Sequence, residues 1–284
     1  MLVESSSMLS DKELGALAQK IERERDFDCG QFRQSYFRRR VTSRLRASGA
    51  GDLGAYIRLL DTSGDEWTKL IATLTVNVTE FFRDRSTWEF LRREIGPQLL
   101  AKKQRRGQSF VRIWSAGCSS GQEPYSLAML FSELAGSDPR SLAAVRITAT
   151  DYDRDCLAKA KAGLYSENEM AGLSRGQLAR FTSSEPDGVR MARGLRTMVR
   201  FQHLDLFSSV EQRMMDMVLC RNVLMYFTQE QQVLVLKKFA LALNPGGLLI
   251  LGKSEKLKPE LYDEFVHVSL AERVYRKRMP EEAS

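Results

Sequence analysis

The chain is poor in the residues that build metal sites and lacks the apolar runs that span membranes. It has two histidines, His203 and His267, and four cysteines, Cys29, Cys118, Cys156 and Cys220, in 284 residues. The cysteines are widely spaced with no CxxC pair, so no zinc site is expected and buried free thiols are favoured over disulfides. No apolar run approaches the ~18 residues that cross a bilayer, and Met1 to Ser10 shows neither a basic nor an apolar leader region. A cytoplasmic, metal-free protein is therefore expected. No internal repeat or low-complexity tract is present. The GxGxxG dinucleotide fingerprint and the GK[ST] phosphate loop are missing too.

Composition is otherwise that of a globular protein, 43% hydrophobic and 28% charged. The length suits one large domain or two unequal ones. Lys and Arg outnumber Asp and Glu to leave a net charge of +7, which suits acidic partners such as nucleic acid, anionic lipid or a Glu-rich protein surface. The excess is local. Residues 29–60 hold seven arginines and one aspartate, and residues 171–202 hold six arginines against Glu185 and Asp187.

The first 75 residues carry helical spacing only. Ser10 and Glu13 form a capping-box pattern ahead of Leu14, Leu17 and Ile21. A second helix is predicted from about Gln31, with Phe37, Val41 and Leu45 on its apolar side and Arg33, Arg38, Arg39, Arg40, Arg44 and Arg46 on the others. Leu53, Tyr56, Ile57 and Leu60 mark a third helix, and Trp67, Leu70, Ile71 and Leu74 a fourth. From about residue 110 strands alternate with helices, the pattern of an α/β doubly wound parallel sheet. The strands are predicted at Phe110–Ser115, Val145–Asp151, Val199–His203, Met217–Cys220 and Leu248–Gly252, with an antiparallel pair, Val266–Leu270 and Arg273–Arg278, at the end. Asn244 to Gly247 reads as a turn before the last parallel strand, and Lys102 to Arg106 as a solvated loop. Residues 163–198 are polar and Gly-rich and read as an insertion with a small β element of its own.

Chemistry concentrates at the predicted carboxyl ends of the strands. The first runs into Ala116-Gly117-Cys118-Ser119-Ser120-Gly121, a Gly-rich turn that lets the backbone approach a ligand. Asp151 ends the next strand, where an acid can accept hydrogen bonds from both ribose hydroxyls of a nucleoside. Glu123 opens the following helix and also suits its dipole. Arg221, Asn222 and Tyr226 leave a third strand toward the same edge. Asn77, Thr79, Phe81, Phe82 and Arg83 join the two halves.

Four collinear motifs carry a family resemblance. Asn77-x-Thr79-x-Phe81-Phe82-Arg83, Trp114 to Ser126, Ala149-Thr150-Asp151-Tyr152-Asp153 and Cys220 to Phe227 closely resemble the CheR-type chemoreceptor methyltransferases, and the match extends over nearly the whole chain. The resemblance implies a Rossmann-like methyltransferase sheet over residues 76–284 with its inserted β subdomain, preceded by an all-α receptor-docking domain over residues 1–75. It implies transfer of methyl from S-adenosylmethionine to glutamate carboxylates on a receptor's cytoplasmic helices, with S-adenosylhomocysteine as product. Cofactor contacts fall on Asn77, Thr79, Arg83, Gly117, Glu123, Asp151, Asp205, Leu206, Arg221 and Asn222, and Arg83 and Tyr226 match the methyl-transfer site. The six arginines of the second helix become substrate-docking residues. Gln122, Asp205 and Lys253 depart from the residues the family commonly has. The short Thr182–Gly188 loop suggests independence of a receptor's C-terminal pentapeptide tether. No nucleic-acid partner and no membrane insertion are expected. The alternatives are an RNA or small-molecule methyltransferase, or a cofactor-binding scaffold without turnover.

Overall fold

The computed structural model describes residues 9–75, 77–105, 110–136, 145–209 and 212–282. The chain divides into two compact units. One consists of the residues up to Asn77 together with Tyr226–Gln231, the other of Val78–Met225 and Gln232–Ser284.

The first unit is helical. Helix α1, Asp11–Arg25, starts at the capping box: Ser10 Oγ accepts from the Glu13 N–H at 3.3 Å, and the Ser10 N–H donates to Glu13 Oε2 at 2.8 Å. Helix α2 spans Gln34–Ser48 and ends at Gly49, whose φ of 76° favours glycine. Helices α3, Leu53–Thr62, and α4, Gly64–Thr75, follow. Their buried faces are Leu14, Leu17 and Ile21; Tyr36, Phe37 and Val41; Leu53, Tyr56 and Leu60; and Trp67, Leu70 and Leu74. Tyr36 joins the core, while Leu45, expected on the apolar side, is only half-buried.

Helix α2 begins later than its apolar spacing predicts. Cys29–Gln31 forms a short 3₁₀ turn, and Phe32 is extended and bridges antiparallel to Phe227. The Arg33 N–H donates to Tyr226 O and the Thr228 N–H to Gln31 O, each at 3.0 Å. That pairing occupies backbone groups a helix would need.

The second unit is a seven-stranded sheet. In chain order its strands are β1 Val111–Ala116, β2 Val145–Asp151, β6 Val199–His203, β7 Met215–Cys220, β8 Leu243–Leu251, β9 Phe265–Ser269 and β10 Val274–Lys277. They lie in the order β6-β2-β1-β7-β8-β10-β9, the first five parallel and β10 antiparallel to both neighbours. Every residue of β7 is buried, Asp216 included, which suits the unbroken apolar run Met217–Cys220. Strand order reverses at β1 and β7, and such a switch opens a crevice outside the carboxyl ends of the strands.

Three expectations need correction. Asn244–Gly247 lies within β8: opposite Met215 and Met217 the register jumps from Leu243 to Leu248, so these residues are absorbed as a bulge with Gly246 at φ 73°. A helix unforeseen in the sequence runs through α5, Arg85–Phe90, a π turn, Leu91–Ile95, and α6, Gly96–Arg105. Its signal was the buried series Trp88, Leu91, Ile95 and Leu99. Lys102 to Arg105 therefore close a helix where a loop was expected, and Arg106 lies outside the described residues.

The insertion is a three-stranded antiparallel sheet, β3 Leu164–Tyr165, β4 Thr182–Glu185 and β5 Gly188–Met191, ordered β3-β5-β4. β4 and β5 form a hairpin in which Glu185 faces Gly188 across Pro186 and Asp187.

Candidate active site

The turn after β1 is built by its backbone. Gly117 and Cys118 both donate N–H bonds to Thr150 O, at 2.8 and 3.0 Å, fixing the turn to the end of β2. Asp151 completes the junction: its Oδ2 accepts from the Ser119 N–H at 2.7 Å and its Oδ1 from the Asp153 N–H at 2.9 Å. Burial pushes its carboxyl up to about 6, against the pull of those backbone donors. A carboxylate has about four acceptor positions, so capacity remains beyond these backbone donors.

The glycines have packing roles. Gly117 has φ 76°, and a Cβ there would sit 2.5 Å from Val223 Cγ2. Gly121 has φ 96°, and its Cβ would meet Ala160 Cβ at 2.8 Å and the Tyr165 hydroxyl at 2.9 Å. The Cα of Gly117 is thus packed against Val223 of the loop after β7.

That loop is locked by a residue the motifs did not single out. Glu255 is buried, and its two oxygens accept the N–H groups of Gly252, Asn222, Val223 and Met225 at 2.8, 3.0, 2.9 and 3.2 Å. Burial raises its carboxyl and the four donors lower it. The signal was a lone acid, Gly252-Lys253-Ser254-Glu255, just past an apolar strand. Lys253 pairs with Glu272 at 2.6 Å, and Glu272 accepts from Thr87 Oγ1 at 2.7 Å.

Arg221 has only 2% of its side chain exposed. Its Nη2 donates to Arg83 O and Asp84 Oδ2, both at 2.8 Å, and its Nη1 to Glu123 Oε2 at 3.4 Å, while Glu123 Oε1 accepts from Ser115 Oγ at 2.8 Å. Burial raises the Glu123 carboxyl; Arg221, Ser115 and Arg83 oppose it. The Arg221 guanidinium ties the Arg83–Asp84 turn to the start of α7, Gln122–Ala135. Two buried atoms here have no partner among the described residues: Arg221 Nε and Asn222 Oδ1.

These loops hold unusual backbone. Phe82, Asp84, Ser119 and Asn222 have φ between 49° and 60°, a region most side chains avoid. Strain of this kind is retained where the surroundings over-determine it, as at binding sites. Arg83 is half-buried, its Nη1 donating to Val78 O at 3.2 Å, and Thr79, next to Val78, is half-buried as well.

Asp205 and Leu206 follow β6. Leu206 is buried, and Asp205 Oδ1 accepts from the Phe207 N–H at 2.9 Å. The Leu204 N–H donates to Asp151 O at 3.0 Å, which brings this loop beside the end of β2. Lys238, also unmarked by the motifs, donates from Nζ to the carbonyls of Leu206, Phe207 and Ser208 at 3.0, 2.6 and 2.8 Å. All three of its donors hold the loop. Burial lowers its pKa, with Asp205 acting the other way.

Asn77 and Tyr226 belong to the helical unit. Asn77 Nδ2 donates to Thr75 Oγ1 at 3.3 Å, and the Tyr226 ring packs on Tyr36 at 4.8 Å between centroids. The six docking arginines differ in what they do. Arg44 is spent on a two-pronged bond to Glu66 in the core, its Nε and Nη2 each 2.6 Å from a carboxylate oxygen, with the Tyr56 hydroxyl added at 2.9 Å. The sequence pattern placed it on a polar face because Glu66 lies on another helix. Arg33 Nε donates to Phe227 O at 3.1 Å and Arg38 bonds Leu9 O and Asp11. Arg39 and Arg46 are exposed, and Arg40 is half-buried over the Tyr36 ring.

Comparison with known proteins agrees with this architecture. Residues 77–274 match the CheR methyltransferase SAM binding domain, and residues 12–75 the CheR methyltransferase all-alpha domain. A chemotaxis protein methyltransferase of Escherichia coli K12 is 33% identical over 87% of this chain and 85% of its own. Chemotaxis protein methyltransferase 1 of Pseudomonas aeruginosa is 37% identical over 80% and 84%, and the Listeria monocytogenes enzyme 32% over 84% and 87%. The chain belongs to the CheR methyltransferase family and is an S-adenosylmethionine-dependent methyltransferase.

Proposed function

We propose that this enzyme methylates glutamate side chains on the cytoplasmic helices of a chemoreceptor and so forms methyl esters. The observation that carries the reading is Asp151, a carboxylate at the end of β2 beside the β1 turn, at the reversal of strand order where nucleosides bind. Asp151 suits the ribose hydroxyls. The orphaned Asn222 Oδ1 and the Asp205–Leu206 loop, joined to Asp151 through Leu204, suit polar groups of the nucleoside. Thr79, Arg83, Glu123 and Asn77 complete the contacts that the family pattern assigns. Arg221 supports Arg83 by holding its carbonyl, and Gly117 acts by seating Val223.

The cofactor supplies a methyl group activated on a sulfonium. A glutamate with an ordinary pKa of about 4.3 is already an anion at neutral pH, so the site needs no general base. Anion and cation combine into neutral products, and water would favour the separated charges. Alignment and exclusion of water therefore provide most of the acceleration. Arg83 orients the incoming carboxylate without binding the attacking oxygen tightly, since a strong bond would blunt its nucleophilicity. Tyr226 fixes the line of approach.

Docking on the receptor belongs to the basic side of α2, chiefly Arg39, Arg40 and Arg46, to the exposed Arg175 and Arg193 of the insertion, and to Arg200 at its edge in β6. A two-residue turn at Pro186–Asp187 leaves the hairpin short, which supports action without a C-terminal pentapeptide tether. Calorimetry with such a pentapeptide is expected to register no tight binding; specific tight binding would contradict that part of the reading.

Incubation with methyl-labelled cofactor and a receptor cytoplasmic fragment tests the whole. Label is expected on the fragment and not on RNA. Label on RNA, or cofactor binding without transfer to the fragment, would contradict it.

A further inference from the structure

The geometry points to Tyr36 as a positioning residue for Tyr226, both in the helical unit. This rests on the reading of Tyr226 given above.

Tyr226 leaves the loop after β7, yet among the described residues its neighbours in the helical unit come from the start of α2. The Arg33 N–H holds Tyr226 O at 3.0 Å, Arg33 Nε holds Phe227 O at 3.1 Å, and Gln31 O receives the Thr228 N–H at 3.0 Å. Phe32 and Phe227 form a β-bridge, with their rings 5.5 Å apart. Three consecutive residues are thus strapped to Gln31–Arg33 by backbone. The strap fixes where the Tyr226 backbone lies, while the direction of its ring needs a side-chain partner.

Tyr36 is that partner. Its ring lies 4.8 Å from that of Tyr226, tilted by 34°, within the range of a favourable aromatic pair. Tyr36 is itself immobilised. It is 4% exposed, its hydroxyl donates to Leu74 O at 2.5 Å, and its ring also packs on Phe32 at 5.6 Å. The guanidinium groups of Arg39 and Arg40 lie 5.8 and 5.4 Å from the Tyr36 ring. A receptor acid that draws either arginine away acts on the ring that orients Tyr226. Docking and alignment meet in one side chain.

A double-mutant cycle tests this on the full-length enzyme, with kcat and KM for cofactor measured on a receptor fragment. Tyr36→Leu is expected to lower kcat by about tenfold or more, the scale of a misaligned reacting pair, and to leave KM for cofactor and affinity for S-adenosylhomocysteine within about twofold. Tyr36→Phe keeps the ring and is expected to restore most of kcat. In a Tyr226→Ala background, Tyr36→Leu is expected to cost nothing further. If the leucine variant does not fold, Tyr36→Met keeps most of the buried volume and gives the same comparison. An unchanged kcat in Tyr36→Leu, or losses that multiply in the double variant, would overturn the inference while leaving the Tyr226 assignment intact. An unchanged kcat in Tyr226→Ala alone would overturn that assignment, and the inference with it.

Discussion

Asp151 is one carboxyl through which pH acts on the enzyme. Its pKa is pushed up to about 6, from 3.8 in an unperturbed chain. Between these values the folded protein keeps a proton that the unfolded chain has lost, so Asp151 makes stability fall as pH rises through the window. With Asp151 in its proposed place on the ribose, cofactor affinity runs the other way, because the charged carboxylate is the better acceptor for ribose hydroxyls. Calorimetry with S-adenosylhomocysteine between pH 5 and pH 8 should show affinity rising by about tenfold per pH unit below the midpoint and levelling off above it. Asp151→Asn should bind more weakly and without that slope. Lys238 offers a second case. Lys238→Met removes three bonds from a charged donor to the Leu206–Ser208 carbonyls. We expect a loss of about 2 kcal/mol in stability, seen by denaturant titration, together with weaker cofactor binding; unchanged binding would separate the Asp205 loop from the cofactor.

Among the elements, α2 shows what spacing conveys and what it hides. Its apolar positions predicted a buried face at Phe37 and Val41, and both are in the core. The start near Gln31 was misread because pairing with Tyr226–Thr228 joins residues nearly 200 positions apart, which no local pattern encodes. Arg44 was misread for the same reason. It looks like one more surface arginine until Glu66 arrives from α4. Glu66→Ala leaves that guanidinium unpaired inside the bundle and should cost about 3 kcal/mol, measured by thermal or urea unfolding. The bond to Arg44 holds the Glu66 carboxyl below the ordinary carboxylate value, so this contribution is present above that value and fades as pH falls through the lowered pKa. The turn after β1 is a further case. Gly117→Ala should reduce cofactor affinity by pushing Val223 and its loop aside, since the added carbon would come within 2.5 Å.

At the scale of the molecule, the alternation of strands and helices made the parallel sheet legible, and the acid ending β2 marked the crevice by its place in the sequence. The residues that hold the crevice in shape, Glu255 and Lys238, were not legible, because their partners are backbone groups that carry no side-chain signature. The net charge of +7 resolves likewise into two basic surfaces, less the arginines that the fold has already paired. If α2 docks an acidic receptor, fragment affinity should fall steadily with salt around physiological ionic strength, where charges are screened over about 8 Å. Arg39→Glu with Arg46→Glu should weaken docking without altering cofactor affinity. The central claim is that the group methylated is a carboxylate, attacked without a base. The stability of the label on the receptor fragment tests it most directly. Mild alkali should release the label as volatile methanol; label that stays on the protein through that treatment would contradict ester formation.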